Sequence, residues 1–188
     1  MADILEEAFR RHSEVIAQSV EFLPDVRRAA ELLFGAAKDD RQLLVCGNGG
    51  SAADAQHLAA EWVCKYKKDR RPLRAVSLTT NTSALTAIGN DYGFEEVFRR
   101  QVEALGEKDD VLVAISTSGK SPNVLRAITE ARKRGMKVIF LTGARGAGLE
   151  KICDVLIAVP SDEVARIQEA HELIFHTWCE YIDALIAV

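Results

Sequence analysis

Apolar residues at Ile4, Leu5, Phe9, Val15, Ile16 and Val20 recur at helical spacing, which predicts a helix over 2–20. A second helix is expected after Pro24, from about Asp25 to Ala37. The pattern then changes. QLLVCG (42–47) is a short apolar run ending in a glycine loop, and SAADAQHLAAEWVCKY (51–66) is alanine-rich and helical, with Ser51 in position to cap it. RAVSLT (74–79) predicts a second strand, and 81–105 two short helices broken at Gly89, Asn90 and Asp91. DVLVAIS (110–116) predicts a third strand. SPNVLRAITEARKRG (121–135) predicts a helix with Pro122 in its first turn and Gly135 past its end. KVIFLTG (137–143) and CDVLIAVP (153–160) complete a set of five strands, and a long helix from Ala165 to Val188 closes the chain.

The strands are continuously apolar rather than alternating, and helices separate them. That combination predicts a parallel sheet covered on both faces, a doubly wound α/β fold preceded by two extra helices. Ligands of such sheets bind beyond the carboxyl ends of the strands. Two loops there are rich in glycine and serine: GNGGS (47–51) and STSGKS (116–121).

Composition adds limits. The chain has 188 residues, suited to one domain, and 48% of them are hydrophobic, enough for a sizeable core. With 24 basic and 28 acidic residues the net charge is −4, and no basic run stands out, so nucleic acid is not the expected partner. No apolar stretch reaches the ~20 residues of a membrane span, and the acidic, amphipathic start does not read as a secretory signal. Cys46, Cys64, Cys153 and Cys179 form no C-x-x-C pair and are read as reduced thiols of a cytoplasmic protein.

Two motifs mislead. Gly47, Gly49 and Ala52 fit an allowed form of the dinucleotide fingerprint. The second strand, however, ends SLTTN (77–81), without the acidic residue that would hold a ribose. Gly119-Lys120-Ser121 resembles a P-loop, but Ala114 stands where the first glycine is required and Pro122 follows at once. What survives is a cluster of hydroxyls, Ser116, Thr117, Ser118 and Ser121, at a helix N-terminus, a composition suited to phosphate. The bland alternative is a serine-rich turn.

On the helix after GNGGS, His57 and Glu61 are four apart and so roughly 40° apart around the axis, able to face one point. The plain alternative is a surface pair. Gln168, Glu172 and His176 recur at the same interval on the last helix. Glu172 reads as part of a solvated stripe, and His171 as structural.

The stretches CGNGGSAADAQHLAAEW, AIGNDYGFEEVF, AISTSGKSPNVLRAI, LTG and ARIQEAHELIFH, in that order, resemble the sugar-isomerase (SIS) domain family, and within it the phosphoheptose isomerases. The resemblance implies a single SIS domain over 1–188, with a helical extension over about 1–38, and a doubly wound, flavodoxin-like five-stranded sheet. It also implies a homotetramer with active sites between subunits. The implied reaction converts sedoheptulose 7-phosphate to D-glycero-D-manno-heptose 7-phosphate through an enediol, for heptose and lipopolysaccharide precursors. Glu61 would be the carbon base and His176 its acid/base partner. Asn48, Gly49, Gly50, Ser51, Glu61, Asn90, Asp91 and Gln168 would orient the sugar, and Ser116, Thr117, Ser118 and Ser121 would hold its phosphate.

His57, Glu61, Gln168 and His176 also match a zinc site of family members, one Zn2+ per subunit, either catalytic or structural. A non-catalytic branch of the family binds the replication initiator protein. It lacks the acid at the position of Glu61 and the imidazole at that of His176, and both are present here. A sugar-phosphate sensor without turnover is a third reading. Two positions depart from the family pattern: Lys120, where many isomerases carry Asn, and Ala165, where some carry Asp.

Overall fold

The computed structural model describes residues 3–186. Ala2 of the first expected helix, and Ala187 and Val188 of the last, lie outside the described residues. Helices α1 (Ile4–Gln18) and α2 (Leu23–Lys38) precede a βα series. It runs β1 (Leu43–Cys46), α3 (Gly50–Val63), β2 (Ala75–Ser77), α4 (Thr82–Tyr92), α5 (Arg99–Leu105) and β3 (Val111–Ser116). It continues through α6 (Pro122–Lys133), β4 (Lys137–Gly143), β5 (Val155–Val159) and α7 (Val164–Leu185).

The sheet is parallel throughout, in the order β2-β1-β3-β4-β5. Strand order reverses between β1 and β3, so their carboxyl ends bound the crevice where such sheets bind ligands. Both faces are covered, which explains the absence of alternation in the strands. Leu43, Val45, Val111, Val113 and Ile115 pack with α2, α3 and α7. Their neighbours Leu44, Cys46, Leu112 and Ala114 pack with α5 and α6.

Two local expectations are corrected. Ser51 does not cap α3; it is buried in the first turn, and the N-cap is Gly49 at φ 59°, a backbone region open to glycine. No break falls at Gly89, Asn90 and Asp91, because α4 runs through them to Tyr92 and ends at Gly93, φ 94°. One helical glycine costs only ~1 kcal/mol relative to alanine, too little to end a packed helix. The remaining boundaries agree within a few residues, Pro122 and Gly135 included.

Candidate active site

The switch point presents two helix N-termini that their own N-cap side chains leave uncapped; in α6 the first residue, Pro122, has no amide and the Val124 amide donates to Asn123 Oδ1 at 3.0 Å. Gly49 has no side chain to offer. Ser121 sits at the N-cap of α6, yet its hydroxyl meets that of Ser116 at 2.9 Å instead. The free amides that begin α3, with the positive ends of two helix dipoles, attract an anion. Asn48 and Asn123 exchange side-chain amide hydrogen bonds at 2.9 Å in both directions, which ties the loop after β1 to the first turn of α6. A cavity of about 410 Å³ opens beside them, bounded by Asn48, Phe94, Glu95, Ser121, Pro122, Asn123 and Arg126.

The hydroxyl loop is held from below. Gly119 has φ 67°, and a Cβ there would lie 2.6 Å from the Cα of Gly146. Gly143 donates its amide to the Thr117 carbonyl at 3.1 Å, extending the β3–β4 ladder into the loop. Ser118 accepts from the Lys120 amide at 3.2 Å, while the Lys120 side chain is exposed.

Helices α3 and α7 lie side by side. Near their N-terminal ends Gln168 covers Gly50 so closely that a Cβ there would be 2.4 Å from the Gln168 amide nitrogen. Further along, His57 Nε2 is 3.3 Å from Glu61 and 3.4 Å from His176 Nε2. His57 Nδ1 is 3.5 Å from Glu172. Glu172 is exposed, as a solvated stripe would be, but it joins the cluster. Phe175 meets the His57 ring edge-on at 5.3 Å, and Tyr66 stacks on His176, also at 5.3 Å.

His57, Glu172 and His176 can each offer one ligand atom within 4.8 Å of the others. Two imidazoles and a carboxylate are an ordinary donor set for zinc. This trio shares His57 and His176 with the four residues singled out in the sequence and brings in Glu172; of the other two, Glu61 lies 3.3 Å from His57 and Gln168 lies over Gly50. Asn90 and Asp91 sit at the exposed end of α4, where the Asn90 amide donates to Asp91 at 2.7 Å. No hydrogen bond joins them to the loops or imidazoles among the described residues.

The sequence pattern passed over Asp54, Tyr66 and Phe175. Asp54 precedes His57 by three residues and Glu61 by seven, on the same helix face, so spacing alone could have found it. Burial pushes its carboxyl up to about 6, the nearby Glu172 carboxylate adds to this, and His57 opposes it. Tyr66 and Phe175 carry no sequence signal beyond being aromatic. His171 is fully buried, and that burial pushes it down to about 4, so it is neutral at pH 7. Its Nε2–H donates to the Thr142 carbonyl at 3.1 Å, a structural role as expected.

The family profile described as SIS domain matches residues 4–143. Phosphoheptose isomerase of Campylobacter jejuni (serotype O:6, strain 81116) is 52% identical over 183 residues, 97% of this chain and 98% of the relative. The solved phosphoheptose isomerase from Neisseria gonorrhoeae superposes with TM-score 0.90 at 46% identity, covering 96% of this chain and 97% of that one. The one from Francisella tularensis gives TM-score 0.91 at 38% identity, with 96% of both chains covered.

Proposed function

The chain belongs to the SIS domain family and is an aldose–ketose isomerase of heptose phosphates; we propose that Glu61 and His176 are its acid–base pair. The reaction assigned to it takes sedoheptulose 7-phosphate to D-glycero-D-manno-heptose 7-phosphate. The observation that carries the residue assignment is the contiguous Glu61–His57–His176 contact at 3.3 and 3.4 Å. Glu61 removes a proton from carbon 1 of the open-chain ketose and returns it to carbon 2. His176 moves protons on the carbonyl and hydroxyl oxygens, and His57 holds the two groups in register. The free amides that begin α3, with Ser116, Thr117, Ser118 and Ser121 at the start of α6, bind the phosphate. Asn48, Ser51 and Gln168 orient the sugar chain, and Asn90 and Asp91 reach it from their exposed helix end.

His57, Glu172 and His176 would hold a divalent ion, and Zn2+ suits their donor atoms. When bound, it supplies a Lewis acid that polarises a carbonyl oxygen. Equilibrium dialysis of the metal-free protein with Zn2+ tests this, and no uptake sinks it.

A homotetramer with shared sites fits two observations. Ile4, Leu5 and Phe9 on α1 are 80%, 72% and 77% exposed, an apolar face suited to a second copy. Gly50 and Glu61 are also separated by roughly 16 Å of helix axis, longer than the span from the phosphate to carbon 1. The phosphate loop of one subunit then serves the acid–base pair of another. Sedimentation at micromolar concentration should show the oligomer; a fully active monomer would refute the sharing. No helix among the described residues is long and apolar enough to cross a membrane, which fits a cytoplasmic enzyme.

The binder of an initiator protein is not favoured, because the relatives named above are isomerases. Incubation of the purified chain with sedoheptulose 7-phosphate, followed by detection of the aldose, tests the activity. No product would leave the sugar-phosphate sensor.

A further inference from the structure

A buried ion pair joins the two helices of the acid–base cluster, and the chemistry above gives it no task. Arg70 Nε is 2.7 Å from Asp183 Oδ1, and the two side chains are 1% and 2% exposed. Arg70 Nη1 donates to the Trp62 carbonyl at 2.9 Å and Nη2 to the Glu61 carbonyl at 2.8 Å. These carbonyls end α3, where the helix itself has no donors left for them. The last turn of α3 contains no basic residue, so Arg70 returns from the following loop with the positive charge that a helix C-terminus favours, donating to both carbonyls, while the Leu73 amide also reaches that of Trp62 at 3.1 Å. Asp183 uses its other oxygen to accept from the amides of Lys67 at 2.6 Å and Lys68 at 2.9 Å. The same short segment carries Tyr66, whose ring stacks on His176 with planes 25° apart.

We propose that Arg70 and Asp183 are positioning residues for the acid–base site. Arg70 fixes the backbone of Glu61, and Asp183 seats Tyr66 against His176. The inference rests on the reading of Glu61 and His176 as the reacting pair. A buried ion pair is a poor device for stability alone, since apolar residues of equal volume often serve as well. What apolar residues cannot do is hold three directions at once. A planar guanidinium with five donors does so, here gripping one carboxylate, the two carbonyls that end α3 and the Arg71 carbonyl at 3.1 Å. Catalysis is sensitive to such placement, because a 1 Å error in a reacting group can cost ~100-fold in rate.

Arg70→Lys tests this, because lysine keeps the charge for Asp183 but offers one nitrogen where arginine offers three. Steady-state kinetics with sedoheptulose 7-phosphate is paired with NMR of the His57 and His176 imidazoles in the full oligomer. The expected result is a kcat lower by about 10- to 100-fold, with KM within about threefold and both imidazole signals shifted. A purely structural role would lower the melting temperature and leave kcat per folded molecule and the imidazole signals at parental values. Unshifted imidazoles overturn the proposal, as does parental kcat. A parent enzyme that fails to turn the sugar over removes the assigned activity instead, and the imidazole signals then decide the clamp alone. Should Arg70→Lys not fold, Asp183→Asn replaces it, retaining an acceptor for the Lys67 and Lys68 amides while weakening the grip on Arg70. Shifted imidazoles and reduced kcat are again expected, and parental values in either overturn the clamp.

Discussion

Glu61→Gln separates chemistry from structure at the centre of the site. The Glu61 side chain is 22% exposed, and its recorded ionic partner is His57, 3.3 Å away on the same helix at i,i+4. Such a helical pair is worth only a few tenths of a kcal/mol. For a domain of this size that amounts to about 1 °C in melting temperature. Glutamine has nearly the same shape and keeps one acceptor for His57, so the fold and the oligomer should persist. The carbon-bound proton, by contrast, needs a base that an amide cannot supply. Loss of a general base costs ~10²–10⁴-fold in turnover, or roughly 2.7–5.5 kcal/mol in the barrier. The assay is a stopped-time measurement of aldose formed from sedoheptulose 7-phosphate, with melting temperature and bound metal measured on the same preparation. Lost turnover with metal retained supports the base. Lost turnover together with lost metal assigns Glu61 to the metal's surroundings instead. A Glu61→Gln enzyme turning over at close to the parental rate would refute the mechanism.

Three further outcomes are expected. Ser116→Ala and Ser121→Ala each remove a hydroxyl expected to bond a charged phosphate, worth roughly 1.5–3 kcal/mol, so KM should rise ~10- to 150-fold with kcat at saturation little changed; unchanged KM in both would move the phosphate site elsewhere. Gly50→Ala places a Cβ 2.4 Å from the flexible end of Gln168, so Gln168 should swing aside, leaving the melting temperature near parental while KM rises; parental kinetics would remove Gln168 from the sugar site. Burial alone would raise the Asp183 carboxyl, but the Lys68 and Lys67 amides and Arg70 outweigh it and hold it below its ordinary 3.8. A depressed carboxyl gives stability that is complete above its unfolded value and lost as pH falls through the folded one. Urea unfolding between neutral and acid pH should therefore show a shallower acid loss for Asp183→Asn than for the parent, and superimposable slopes would contradict this.

The periodicity of the chain determined much of this protein by itself. Continuous apolar strands separated by helices admit one economical arrangement, a parallel sheet covered on both faces, and the structure has it. Spacing also placed His57 beside Glu61, because i and i+4 share a helix face whatever the rest of the fold does. Local signals failed where tertiary packing outweighed them: Gly89 did not end α4, and Ser51 went into the core rather than to the cap. The contacts between α3 and α7 were decided only by the tertiary structure. His57 and His176 are separated by 119 residues, Arg70 and Asp183 by 113, and no periodicity spans such distances. Glu172 shows the same limit, since its own helix offers only a polar stripe and its meaning comes from the imidazole that α3 brings within 3.5 Å. Sequence patterns report which face of an element is buried, whereas the partner on the other side is chosen by the way the sheet stacks its helices.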